Sequence, residues 1–414
     1  MRWLERSNAQ SFKIPGNAKN KNVEDRNMAP TPLQQLIVER IQRDGPLTFA
    51  EYMRMALYEP EYGYYMTRPT RIGFEGADFY TSTDVSSVFF ANCVGRQLHQ
   101  WWDKLKRPSP FVVLEQGAGR GDLARGVQAW ARQQTPDFHT ALEYRLEDIS
   151  AGQDGREPVK NESREARLPE PTRSPQRTSS NSNGAAPAPS VVLSNELVDA
   201  FPIHIVETHG SRLYEIYIDV RARRLCEVRG EPGTAEVASY LDRYHIPWTQ
   251  FGDGWRAEIN LDAIRWMQRT VHLLQRGYIL TIDYGDKARA LYTRYRRHGT
   301  LACYLQHQMN ERPLSRPGEQ DITAHVNFSA LIDEGRRQGL HLHKFTTQRL
   351  WLESLGIQEE LEQRRSNDFS ESIIDRASDR GQVALLKWYD LRQRVAALTD
   401  PAGMGNFKVL ILRR

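Results

Sequence analysis

The sequence predicts an α/β fold: a doubly wound, Rossmann-like parallel sheet, a helical cap ahead of it and an antiparallel β insertion carried on it. Three observations predict this. The apolar run 111–114 leads straight into Glu115-Gln116-Gly117-Ala118-Gly119-Arg120-Gly121 and then a helix, the opening β-turn-α of such a sheet. A plausible second strand at 144–149 and further short apolar runs at 191–193 and 278–283 follow, separated by helical or polar stretches. The first hundred residues, by contrast, show helical spacing.

In the cap (31–106), Leu33, Leu36, Ile37 and Ile41 recur at helical intervals and stop at Gly45-Pro46. Thr48 is placed to cap a second helix running toward Tyr58, and the aromatic loop Tyr62-Gly63-Tyr64-Tyr65 follows. A longer helix carries Val88, Phe89, Leu98, Trp101 and Trp102. The main domain is expected over 107–414. Within it, 151–190 is rich in Pro, Ser, Asn, Arg and Glu, with almost no large apolar side chains to offset ordering entropy, and reads as a disordered insertion. Residues 203–230, with Tyr214, Ile216, Ile218 and Val220 alternating beyond His209-Gly210, read as the β insertion. A helix over 261–275, a strand over 278–283, a helix over 328–338 and strands over 340–345 and 407–412 complete the expected order.

Composition excludes several classes. Hydrophobic residues make up 39% and charged residues 26% of the 414, which suits a globular chain with a real core. No apolar run approaches the roughly 18 residues of a membrane span. The net charge of +4 is too small for an electrostatic nucleic-acid binder. The three cysteines, Cys93, Cys226 and Cys303, lie far apart, and the 11 histidines include no H-E-x-x-H pattern. Reduced thiols, a cytoplasmic protein and no metal are therefore expected. Residues 1–30 fit neither a secretory signal nor an acid-free presequence and read as a disordered tail, with a start at Met28 as the alternative.

The chemistry concentrates at the ends of the expected strands. Gly117, Gly119 and Gly121 let the backbone turn sharply and approach a ligand that a Cβ would block. The spacing is G-x-G-x-G, where a dinucleotide site has G-x-G-x-x-G. Glu115 before it suits a cationic methionine moiety better than a pyrophosphate. Asp148, ending the second strand, is placed to accept from both ribose hydroxyls of a nucleoside; Glu147 faces the other way. Ser194-Asn195-Glu196-Leu197-Val198-Asp199 leaves the next strand in the middle of the sheet, where such sheets bind ligands. Ser194 or Asn195 could equally be a helix N-cap, which would put Glu196 and Asp199 three apart on one helix face.

The chain resembles the MidA-like methyltransferases, the family that includes the mitochondrial complex I assembly methyltransferase. The resemblance runs through Gly63-Tyr64-Tyr65, G-A-D-F-Y-T-S (76–82), the glycine turn, N-E-L-V-D-A-F-P-I-H (195–204), Ile282-Asp283-Tyr284-Gly285, residues 312–328 and Met404-Gly405-Asn406-Phe407-Lys408. It implies a class I methyltransferase fold using S-adenosyl-L-methionine. It places Gly117, Gly119, Gly121 and Asp148 on the cofactor, where Glu115 joins them by its charge, and aligns the family's Asn-Glu and following Asp with Asn195, Glu196 and Asp199. Carboxylates grip the N–H groups of a guanidinium, so Glu196 and Asp199, with Asn195 positioning, are the expected acceptor residues. The mitochondrial member's activity implies an arginine of a protein as acceptor. A small molecule, another protein side chain, or a non-catalytic assembly role stay as alternatives.

Overall fold

The computed structural model describes residues 30–67, 81–148, 187–305, 308–369 and 378–414. The expected tail, apart from Pro30, and the expected disordered insertion, apart from 187–190, lie outside the described residues. Helix α1 (Pro32–Asp44) starts on Thr31, whose hydroxyl accepts the Gln34 N–H, and Pro32 sits in the first turn, where its missing N–H costs nothing. Helix α2 (Phe49–Tyr58) opens with a complete capping box between Thr48 and Glu51. Their apolar faces, among them Leu33, Ile37, Tyr52 and Met53, are buried against Ile205, Ile216 and Ile218 of the β insertion. Helix α3 (Ser87–Lys104) is capped by Ser86 and lays Phe90, Val94, Leu98 and Trp101 on the central sheet.

Strands β1 (Phe111–Gln116), β2 (Leu142–Glu147) and β3 (Val191–Asn195) open the central sheet. Strands β4 (His204–His209), β5 (Arg212–Arg221), β6 (Arg224–Gly230) and β7 (Arg256–Ile259) build a separate antiparallel sheet. Strands β8 (Tyr278–Asp283), β9 (His341–Thr347) and β10 (Lys408–Arg413) return to the central one, whose order is β9-β10-β8-β3-β1-β2. β1, β2, β3 and β8 run parallel; β10 runs antiparallel to both its neighbours. Ser190 already joins the ladder: its N–H donates to the Val112 carbonyl at 2.8 Å, so the expected polar insertion ends before it.

Alternate side chains of these strands serve opposite layers, as the twofold strand period requires. Val191, Leu193, Leu280, Ile282, Val409 and Ile411 meet α3 and α4 (Asp122–Gln134). Val192, Ile279, Leu410 and Leu412 meet α5 (Leu261–Leu273) and α6 (Phe328–Arg337). The Trp101 ring stacks on Tyr278 with centroids 4.4 Å apart, a contact worth roughly 0.5–1.5 kcal/mol beyond its buried area. The result is a three-layer αβα unit whose parallel strands end together.

Candidate functional site

Because β1 pairs in parallel with β2 and β3, and β3 with β8, Gln116, Glu147, Asn195 and Asp283 arrive at one rim of the sheet. A doubly wound sheet binds its ligands there. Gly117 (φ 71°), Gly119 (φ 51°) and Gly121 (φ 70°) all take the left-handed conformation. A Cβ on Gly117 would strike Leu197 at 2.7 Å and one on Gly121 would strike Leu146 at 2.9 Å, whereas one on Gly119 would meet nothing within 4 Å. Gly119 thus borders open space. Its N–H donates to an Asp148 carboxylate oxygen at 2.8 Å.

The two residues before this turn lie on opposite faces of β1. The Gln116 side chain donates to Glu147 at 2.9 Å and accepts from the Trp266 indole at 3.0 Å and the Thr270 hydroxyl at 3.2 Å. It clasps α5 to the sheet. Glu115, on the opposite face of β1, is only 4% exposed, and its Oε2 has no hydrogen-bond partner. Burial pushes its carboxyl up to about 8. The Tyr144 hydroxyl pulls it partway back without completing a hydrogen bond, and the Asp148 charge raises it further. An open cradle at Gly119, the adjacent Asp148 and a buried acid lacking a cation fit a positively charged nucleoside ligand.

The end of β3 departs from the sequence expectation. No helix starts at Ser194 or Asn195; Glu196 takes φ 50° instead, and only Val198–Ala200 forms a single 3-10 turn. The Glu196 N–H is already engaged with the Ile282 carbonyl at 2.8 Å, so the chain follows the sheet ladder where a helix would have begun. Glu196 Oε1 accepts from the Ser82 N–H at 2.8 Å and from Asn195 Nδ2 at 3.1 Å. The Tyr284 hydroxyl donates to one oxygen of Asp199, while Asp199 Oδ1 and Asn195 Oδ1 are buried without a partner. Asp283 Oδ2 accepts from the Val198 N–H at 2.9 Å, which fixes the turn.

Three carboxylates are therefore gathered with no cation among the described residues paired to any of them. Glu196, which still meets some solvent, is raised to about 7 by lost hydration and the Asp199 charge, against the pull of the Ser82 N–H. Burial lifts Asp199 to about 6, against the Tyr284 hydrogen bond. Asp283 is raised well above the carboxylate range, by burial first and the Asp199 charge second.

Sequence reasoning assigned no role to Asp283, Tyr284, Tyr58, Tyr65, Asp321 or Ser82. Asp283 and Tyr284 had a usable signal, since they end an apolar strand just as Asn195 does. The others come from afar. The Tyr58 hydroxyl donates to the Ala200 carbonyl at 2.8 Å, its ring stacks on Tyr65 at 5.6 Å, and the Tyr65 hydroxyl donates to buried Asp321 at 2.8 Å. The charges of Asp321, Asp199 and Asp148 all help raise the Tyr58 phenol, after burial, so this ring stands between the two halves of the site. Among the described residues no cluster of His, Cys, Asp and Glu forms a metal-holding set, and no helix is long and apolar enough to cross a membrane.

The chain is similar to known proteins. A family model described as S-adenosyl-L-methionine-dependent methyltransferase matches residues 93–346. The Drosophila melanogaster protein arginine methyltransferase NDUFAF7 homolog, mitochondrial, is 29% identical over 90% of this chain and 83% of its own length. The Rattus norvegicus protein arginine methyltransferase NDUFAF7, mitochondrial, is 27% identical over 91% of this chain and 83% of its own. A Burkholderia thailandensis crystal structure bound to S-adenosyl-homocysteine superposes with a TM-score of 0.74 at 26% identity, covering 94% of this chain and 95% of that one. The mitochondrial relatives overturn the cytoplasmic expectation, which rested on scattered cysteines, a pattern that does not single out one compartment. With more than half its length matched and its fold shared, the chain belongs to this family of S-adenosyl-L-methionine-dependent methyltransferases.

Proposed function

We propose that the chain methylates an arginine side chain of a protein, with Asn195, Glu196 and Asp199 meeting the acceptor and Glu115, Gly117, Gly119, Gly121 and Asp148 holding the cofactor. One observation supports this reading: among the described residues, Glu196, Asp199 and Asp283 lie together without a counter-ion, and two buried acceptor oxygens, on Asn195 and Asp199, have no donor. Such a cluster is costly unless a cation with several N–H groups completes it. A guanidinium is that cation. It stays charged at any ordinary pH and offers five donors in a planar fork. The names of the fly and rat relatives agree with this acceptor.

S-adenosylmethionine would supply the methyl group; the chain's own residues align the acceptor, stabilise its charge and, at the Glu196 or Asp199 carboxylate, take up the N–H proton that the attacked nitrogen gives up as it gains the methyl, so acceptor and product each carry one positive charge. In-line displacement demands alignment above all, and charge-assisted bonds from carboxylates fix the fork while accommodating the charge of the methylated product. In this reading the cap (31–106) closes on the catalytic unit (107–414) through Ser82 at Glu196 and Tyr58 at Ala200. The experiment is incubation with labelled S-adenosylmethionine and peptides containing arginine, lysine or neither, with the label located by mass spectrometry. Arginine labelling is expected; labelling of lysine alone, or only of a small molecule from a lysate, removes the reading.

A further inference from the structure

The segment that leaves the site after Tyr284 is strongly basic. Between 287 and 298 stand Lys287, Arg289, Arg294, Arg296, Arg297 and His298, with no Asp or Glu among them. Lys287, Arg289, Arg294 and Arg297 are exposed, and Tyr295 is 80% exposed in their midst. Several arginines of the chain find acids: Arg243 pairs with Asp333, Arg256 with Glu207 and Glu227, Arg54 with Asp262. Among the described residues, none of the cations in this run is paired to an acid. Lys287 lies over the Phe345 ring, Arg294 bonds the Tyr295 hydroxyl, and Arg296 and Arg297 donate to the Leu291 and Asp253 carbonyls. Of the nearest acids, Asp286 is engaged by Lys408 and Asp253 by His209.

The run also lies close to the acceptor carboxylates. Lys287 follows Asp283 by four positions, a reach of at most about 14 Å. Arg296 shares a small cavity with His325, whose ring meets Tyr284 edge-on at 5.5 Å, and Tyr284 holds Asp199.

We propose that residues 287–297 form a docking surface for an acidic stretch of the protein substrate, flanking the arginine to be methylated. This rests on the arginine reading above. A peptide can present its arginine to Glu196 and Asp199 and its carboxylates to the basic run at once. A nucleic acid offers those acids no cation, and the chain's net charge of +4 is low for a polyanion binder. Rim charges of this kind govern encounter rate and partner choice, and salt weakens them.

The test uses the full chain and the triple variant Arg289→Glu, Arg294→Glu, Arg297→Glu, none of which touches the site. The probes are fluorescent peptides with one arginine flanked by glutamates, by serines or by lysines, and a single-stranded RNA of equal length. The glutamate peptide is expected to bind tightest, to weaken about tenfold in the variant, and to weaken likewise in about 0.5 M salt. Its KM for methylation should rise about tenfold while kcat, the serine peptide's KM, melting temperature and S-adenosylhomocysteine affinity hold. Equal binding of the three peptides, an unaffected variant, or preference for the RNA overturns the proposal. Binding without methylation keeps the docking surface and removes the arginine reading; methylation with equal KM for all peptides does the reverse.

Discussion

The backbone N–H of Ser82 donates to Oε1 of Glu196 at 2.8 Å, joining the cap to the end of β3 across 114 positions of sequence. One oxygen of Glu196 is thereby committed to holding the cap. Two substitutions separate its roles. Glu196→Gln keeps an acceptor for Ser82 and loses only the charge, so kcat/KM on an arginine peptide is expected to fall about ten- to a hundredfold at unchanged melting temperature. Glu196→Ala loses the clasp as well and should also lower the melting temperature. Equal turnover of Glu196→Gln and wild type would leave Glu196 a cap residue only.

The cofactor side is expected to fail independently. A valine at Gly119 puts a branched side chain into the open cradle, at a backbone φ of 51° that β-branched residues avoid. Asp148→Asn removes the charge beside it. Calorimetry with S-adenosylhomocysteine should show no binding to Gly119→Val and weakened binding to Asp148→Asn. The melting temperature of Asp148→Asn should stay near wild type, since Asp148 is half-exposed at the rim.

Glu115 makes a stability prediction whose sign is opposite to that of an ordinary surface carboxylate. Its folded pKa, about 8, lies above the usual 4.5, so between these values the folded protein holds a proton the unfolded chain releases. Its contribution is intact below about pH 4.5 and is lost as pH climbs toward 8. Glu115→Gln removes that loss. The cofactor-free variant should therefore be more stable than wild type at pH 8 by roughly 2–4 kcal/mol, with the two converging near pH 4.5. Chemical denaturation at both pH values checks it, and S-adenosylhomocysteine affinity should fall in the same variant.

Acceptor binding requires Asp199 and Glu196 ionised. With their pKa values raised to about 6 and about 7, kcat/KM on an arginine peptide should climb across that interval and level off above it. In Glu196→Gln the upper part of the climb should disappear. A profile flat from pH 5 to 8 would mean that neither acid titrates in the free enzyme.

The middle of the central sheet was readable because β1, β3 and β8 are short apolar runs that end in polar residues at the rim, as at Leu193-Ser194-Asn195 and Ile282-Asp283. The glycine turn was readable because three left-handed positions in five residues tolerate little else. On the acceptor side only the strand-end residues Asn195, Glu196 and Asp199 were legible. The Ser82–Glu196 and Tyr65–Asp321 contacts join residues 114 and 256 positions apart, and no local pattern marks Ser82, Tyr65 or Asp321 as their partners. The alternative of a helix start at Ser194 or Asn195 is set aside for a tertiary reason: the Glu196 N–H is held by the Ile282 carbonyl and the Val198 N–H by Asp283. Propensity ranks local options; the sheet chose among them.

Asp199 tests the account most directly, since its Oδ1 is buried with no partner and its Oδ2 is held by Tyr284. Asp199→Asn keeps its shape and the Tyr284 contact while removing the charge that a guanidinium needs. Wild type and variant should be incubated with labelled S-adenosylmethionine and an arginine peptide, and the product mapped by mass spectrometry. The expected result is a methyl group on the guanidinium with wild type, a loss of about a hundredfold or more in Asp199→Asn, and S-adenosylhomocysteine affinity unchanged between them. Full turnover by Asp199→Asn, or a methyl group found on no arginine at all, would contradict it.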